Sequence, residues 1–345
     1  MASYDERDLI YRRKHRRWHM TNLILILVLI ALMIACLCIG KYTVSPLDSI
    51  KILLNRQGDW SPMAEKIVLG VRFPRVFATI VVGCGLALSG AVYQGVFKNP
   101  LVSPEFLGVS SGACIGAAVG ILAAAGAAAI QGLAFLGGIV AVLLTLMIPR
   151  LLRSTSNIML VLSGIIVSGA MSSILGFIKY IADPETELAA ITYWQMGSFA
   201  YIDLKSLFTV LPLAIIALVV LLAMAWWIDI LSLGEKEAQM LGAKVSGLRL
   251  VCIICATILT SSAVCIAGTI GWIGLVIPHF GRMMVGANNR RLLPAACLLG
   301  GIFLLLVDTL TRMIGPAEMP ISILTGIVGA PFYAWLLYQQ RMELR

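Results

Sequence analysis

Charge is what this chain has least of. Only 12% of its 345 residues are charged, 26 Lys and Arg against 17 Asp and Glu. Soluble domains carry about twice that share, so a soluble enzyme or binding module is excluded. Histidine occurs three times, as His15, His19 and His279. None forms an H-E-x-x-H pair, and His279 reads as a capping or packing residue rather than a metal ligand. No G-x-x-x-x-G-K-[ST] loop is present, so the chain does not hold ATP as a P-loop protein does. No nucleophile gathers with a base or with metal ligands at helical spacing, which argues against an intramembrane enzyme. The eight cysteines (36, 38, 84, 114, 252, 255, 265, 297) all fall in apolar runs. There they act as small packing residues and form no disulfide framework. Cys252 and Cys255 make a lone C-x-x-C inside one such run.

What fills the chain is apolar: 60% of residues are hydrophobic. The pattern is that of an all-α polytopic membrane protein. The net charge of +9 follows from inner loops that retain Lys and Arg, so it implies lipid and not nucleic acid. A basic N-terminal tail, residues 1–20, precedes twenty uncharged residues, 21–40, the length of one spanning helix. The tail is therefore cytoplasmic. Residues 41–75 lie outside, followed by span 2 at 76–97 with Gly83, Ala87, Ala91 and Gly95 at four-residue spacing, a stripe for close helix approach. The uncharged run 106–149 is too long for one span and predicts a hairpin, spans 3 and 4, broken at 131–138. Span 5, 157–178, repeats the small stripe as Gly164, Ser168, Ser172 and Gly176, suited to packing or to lining a polar path. An external segment, 183–203, leads to span 6 at 207–227. Spans 7 and 8 share 250–281 with a break near 268–274, span 9 covers 292–311 and span 10 covers 320–339. Ten crossings return the chain to its starting side, with both termini cytoplasmic. Ser89-Gly90 with Pro100 echoes Ala267-Gly268 with Pro278. The echo suggests an inverted internal repeat, a feature of transporters.

Two polar features stand out against this background. Residues 232–247 (SLGEKEAQMLGAKVSG) form a cytoplasmic island. Ser232 and Glu235 fit a capping box, and Gly242 fits a left-handed stop. The implied two-turn helix needs a partner to rest on, and Ala238, Met240 and Leu241 give it an apolar side to offer. A second short element is expected at 245–248. On the other face, Arg72 and Arg75 at the mouth of span 2 run against the positive-inside rule. Their planar forks suit carboxylates of an external partner, and lipid headgroups are the alternative. Asp308 and Arg312 can pair across one helix turn, or Arg312 can exchange Asp308 for a partner's carboxylate.

The motifs Arg72-Phe73-Pro74-Arg75, 89–94 (SGAVYQ), Asn99-Pro100-Leu101, 107–112 (LGVSSG), Leu233-Gly234-Glu235, Leu241-Gly242, 274–279 (GLVIPH), Asp308 with Arg312, Glu318-Met319-Pro320 and Gly329-Ala330-Pro331 occur in order. With them the chain resembles the permease family of type II ABC importers for ferric siderophores, haem and vitamin B12. The resemblance covers residues 21–345 as one ten-helix permease domain. It implies a homodimer with the path on its two-fold axis, two cytoplasmic ATPase subunits that hold ATP and Mg, and an extracytoplasmic substrate-binding protein. It places the chain in a bacterial or archaeal cytoplasmic membrane, without a cofactor or metal of its own. It also implies that Arg72, Arg75 and Arg312 receive glutamates of the binding protein, and that Asn99, Leu101, Ser154, Thr155 and Ser156 close the path on the inner side. The island would be the ATPase coupling element, with Glu235, Glu237, Leu241 and Gly242. The expected function is ATP-driven uptake of an iron(III)-siderophore chelate, with haem or cobalamin as the nearest alternatives and an ion-coupled secondary transporter as the rival class. A path lined by small and hydroxyl residues leaves cargo selection to the binding protein.

Overall fold

The computed structural model describes residues 4–343 except 41, 57–59, 154–155, 201, 203 and 316–317. The described residues contain helices and connecting turns and no strand. In chain order the helices are α1 (Tyr4–Cys38), α2 (Pro46–Leu53), α3 (Pro62–Lys66), a π-helical stretch (Ile67–Arg72), α4 (Phe73–Phe97), a 3₁₀ turn (Pro104–Leu107), α5 (Val109–Leu122), α6 (Ala127–Leu151) and α7 (Asn157–Ile181). They continue as α8 (Glu187–Met196), α9 (Leu204–Ala223), α10 (Ala225–Leu233), α11 (Glu235–Met240), α12 (Val245–Ala267), α13 (Ile273–Val285), α14 (Asn289–Met313) and α15 (Ile321–Glu343). Seven of these are long and apolar enough to cross a membrane, and three shorter apolar helices lie at Val109–Leu122, Ile273–Val285 and Ile321–Trp335.

The bundle is organised on α4, most of whose residues are buried. Its small-residue stripe allows backbone to touch backbone. A Cβ on Gly83 would stand 2.3 Å from the Gly300 carbonyl oxygen of α14, and one on Gly90 would stand 2.0 Å from that of Gly274 on α13. Contacts this close replace side-chain knobs with van der Waals and weak C–H···O contact, which is how helices associate where lipid removes the hydrophobic drive. Behind α4, α12 supplies a buried hydroxyl seam: Tyr93 Oη lies 2.9 Å from Thr257 Oγ1, and Thr260 donates to Ser89 Oγ at 3.1 Å. By contrast α7 leaves more than half of its described residues exposed.

Two local expectations are corrected. The hairpin between α5 and α6 turns at 123–126, not 131–138: Ala124 takes φ +49° and Ala125 N–H reaches back to Gly120 O. Alanine-rich turns carry no polar signal, whereas Gln131-Gly132 looks like one. The segment 183–203 carries α8, preceded by a turn in which Asp183 Oδ1 accepts from Thr186 Oγ1, Thr186 N–H and Glu185 N–H. Those bonds stabilise the ionised carboxylate and hold the Asp183 pKa below its usual value. Finally, the Ser-Gly echo does not mark equivalent places. Ser89-Gly90 lies mid-helix in α4 and Pro100 in a turn, while Ala267-Gly268 ends α12 and Pro278 is inside α13. A different regularity is present: α4, α5, α6 and α7 have 25, 14, 25 and 25 residues, and α12, α13, α14 and α15 have 23, 13, 25 and 23.

Candidate functional site

The charged side chains gather at the two ends of α4, about 37 Å apart at 1.5 Å per residue. At its N-terminal end the π-helical stretch turns Arg72 back towards α1. Its Nη1 donates to Leu37 O at 2.7 Å and Cys38 O at 3.1 Å, and its Nη2 donates to Tyr42 O. Leu37 O and Cys38 O are carbonyls that the end of α1 cannot satisfy internally. Gly40 leaves the room, since a Cβ there would stand 2.7 Å from Arg72 Nη2. Three residues on, Arg75 is held on both edges of its fork. Nε and Nη2 donate to Asp308 of α14, the shortest at 2.8 Å, and Nη1 donates to Glu318 Oε1 and Oε2 at 2.8 and 2.9 Å. Arg312 Nε stands 3.4 Å from Asp308 Oδ2, and its Nη2 donates to Thr309 Oγ1 at 3.2 Å.

This placement differs from guanidinium groups presented to an external partner. Arg72 and Arg75 are each 4% exposed and Asp308 is 0% exposed. The Asp308–Arg312 pair exists, but Arg75 is the nearer and better-aligned partner of Asp308. Glu318, whose side chain is 38% exposed, is the part of the network that meets solvent. It also lines a cavity of about 830 Å³ walled by Gln131, Tyr193, Trp194, Ser198 and Gly268.

At the other end of α4, Lys98 ends the helix in the left-handed conformation (φ +54°) and its Nζ donates to Leu233 O at 2.7 Å. Asn99 Oδ1 accepts from Leu101 N–H at 2.9 Å, an Asx turn that leaves Leu101 40% exposed. Gln94 donates to Gly274 O and accepts from Arg282, while Asp229 Oδ1 accepts both the backbone and side-chain N–H of Asn289. These bonds tie α4, α10, α13 and α14 into one frame. Of the second expected gate turn, Ser156 is the residue before α7, in extended conformation. Ser154 and Thr155 lie outside the described residues.

The polar island is built on that frame. α11 follows α10 after Gly234 (φ +139°). The capping box is absent: Ser232 lies inside α10 and donates to Asp229 O, and Glu235 instead pairs with Arg249 of α12 at 3.6 Å. Glu237 folds back over Gly234, where a Cβ would meet its Oε2 at 2.2 Å. That leaves a carboxylate at the positive end of α11. Gly242 (φ +80°) donates to Gln239 O and Ala243 donates to Ala238 O, the paired bonds of a Schellman stop. The expected second short element is the first turn of α12. Ala238 is buried, whereas Met240 is 81% and Leu241 59% exposed, so α11 rests on its alanine and turns larger apolar groups outward.

Between the two ends, the small stripe of α7 divides. Gly164 packs on the 3₁₀ turn, where a Cβ would stand 2.0 Å from Phe106 O, and Ser168 Oγ faces Glu105 O at 3.5 Å. Ser172 is exposed and Gly176 has nothing within 4 Å of a Cβ. Hydropathy did not single out Glu105, which lies at the edge of an uncharged run. It is exposed here, with Oε1 3.2 Å from where a Gly271 Cβ would be, at the α12–α13 break. Among the described residues no three His, Cys, Asp or Glu side chains converge as metal ligands.

The architecture has close relatives. The model of the FecCD transport family matches residues 26–339. The molybdate import system permease protein MolB of Haemophilus influenzae is 38% identical over 91% of this chain and 94% of its own. A probable iron chelatin transport system permease protein of Helicobacter pylori is 42% identical over 80% of this chain and 83% of its own. A metal-chelate type ABC transporter solved in an inward-facing conformation superposes with a TM-score of 0.84 at 37% identity, covering 92% of this chain and 98% of that one. A buried α4 core, an exposed short helix closed by glycine and a matching fold over nine-tenths of the chain therefore converge: this multi-pass membrane protein belongs to the FecCD transport family and is an ABC importer permease.

Proposed function

We infer that this chain is the membrane subunit of an ATP-driven importer whose cargo is an iron(III)-siderophore chelate. The seven long and three short apolar helices supply ten crossings with both termini in the cytoplasm. The matching helix lengths of α4–α7 and α12–α15 support an inverted repeat. Two copies place their α7 helices about a shared path, two ATPase subunits that bind ATP and Mg receive α11, and an external binding protein docks at the Arg75 end. Asn99, Leu101 and 154–156 then close the cytoplasmic side. Haem and cobalamin are alternative cargoes, because the path offers small residues and hydroxyls, with no metal-binding set among the described residues.

The observation that carries this reading is α11: a helix of six residues has too little internal bonding to persist alone, yet it exposes Met240 and Leu241. Such a helix, fixed by a glycine stop and by Ala238, fits a groove in a partner. Cross-linking from Met240→Cys to the ATPase subunit tests it. Efficient linkage from Met240→Cys and none from Tyr180→Cys, an 86% exposed position near the other end of the bundle, is the expected result. Equal linkage from both positions would reject it. Glu105, an exposed carboxylate beside the α12–α13 break, is the observation that favours ion-coupled transport, since such carriers bind their driving ion on a carboxylate.

A further inference from the structure

We propose that Glu318 is a built-in competitor for the carboxylate that an external partner offers to Arg75. This rests on the docking reading above and adds how that site is kept closed. Arg75 has no free edge: Asp308 takes Nε and Nη2, and both oxygens of Glu318 take Nη1. The two acids are not equivalent. Asp308 is fully buried on α14 and serves Arg312 as well, so its removal would leave charges unpaired in the interior. Glu318 is on the solvent side, and its carboxylate forms part of the wall of the 830 Å³ cavity. An arriving group can reach Arg75 only where Glu318 now sits.

The charges define what that group is. Arg75 and Arg312 face Asp308 and Glu318, a balanced set while Glu318 is in place and one positive charge in surplus once it swings away. A carboxylate restores the balance; an amine would find Glu318 and be opposed by the arginines behind it. The cavity has room for a protruding acidic side chain and several neighbours.

The segment that carries Glu318 is held at both sides of the same cavity. Met319 N–H donates to Thr311 O at 3.3 Å. Ile321 N–H donates to Gly197 O, and Ser322 Oγ donates to Met196 O at 2.7 Å. Displacing Glu318 therefore loosens the segment that ties α15 to the end of α8, at the outer rim of the bundle. Docking then removes one internal latch as it forms one external bond.

A partly exposed bidentate pair closes the site by about two- to fivefold. Glu318→Gln, similar in shape and without charge, should lower the Kd of the cargo-free binding protein by that factor for the permease–ATPase complex in lipid discs. Glu318→Asp, which keeps the charge, should stay near wild type. A companion titration uses binding protein whose exposed lobe carboxylates are changed to Lys. If that change weakens docking but Glu318→Gln leaves Kd unchanged or raises it, Glu318 is a structural brace and the proposal is wrong while the docking site stands. If the lobe changes have no effect, the docking reading itself fails and takes the proposal with it.

Discussion

Replacing Gly242 by Val isolates backbone conformation from space. Gly242 has φ +80° and nothing lies within 4 Å of an added Cβ, so no clash accompanies the change. The cost is that of forcing a β-branched residue into the left-handed region, about 1–2 kcal/mol or more. Relieving it by rotating the backbone breaks the bonds from Gly242 N–H to Gln239 O and from Ala243 N–H to Ala238 O, each worth about 1 kcal/mol. A penalty of that size shifts the fraction of α11 in its docked geometry by about five- to thirtyfold. The apolar bundle is not touched, so membrane insertion and yield should hold. The graded series Gly, Asn, Ala, Val should order ATPase co-purification and ATP-driven uptake in vesicles, because Asn tolerates the left-handed region better than Ala. Full assembly and full transport by Gly242→Val would show that α11 is a surface loop without a coupling role.

The charge network gives two further tests. Asp308→Asn leaves Arg75 and Arg312 with a neutral partner in a fully buried site and should destabilise the detergent-solubilised protein by about 3–5 kcal/mol, read as a lower midpoint in thermal unfolding. An unchanged midpoint would mean the pair is not desolvated. Arg72→Gln removes the donors to Leu37 O, Cys38 O and Tyr42 O; hydrogen exchange should accelerate at the end of α1, residues 36–42, before anywhere in α4. A loss of binding-protein docking without that local loosening would return Arg72 to the outer surface.

Hydropathy placed the apolar helices well, because a run of twenty uncharged residues is a statement about solvent. The break between α12 and α13 was legible as glycines at 268, 271 and 274. The α5–α6 turn was not, since Ala123 to Gly126 carries no polar residue. Gly242 was legible because only a few residues accept its conformation. The Ser232 cap was not realised, because α10 continues through Ser232 and Gly234 takes the cap position. Least legible was the Arg75–Asp308–Glu318 network. Its members are 233 and 243 residues from Arg75, and no local spacing reports a contact made only when α4 packs on α14. Charge at a span end suggested an outward role, whereas burial turned the same arginines inward.

Energy coupling is what separates an ATP-driven importer from an ion-driven carrier. Sealed vesicles with this chain, its ATPase subunits and an outward-facing cargo-loaded binding protein should accumulate labelled iron chelate when ATP is enclosed. They should continue to do so after ionophores collapse the proton and sodium gradients, and should fail with a non-hydrolysable nucleotide. Uptake that follows an imposed ion gradient in the absence of ATP, and is lost in Glu105→Gln, would contradict the importer reading and make Glu105 the coupling acid of a secondary transporter.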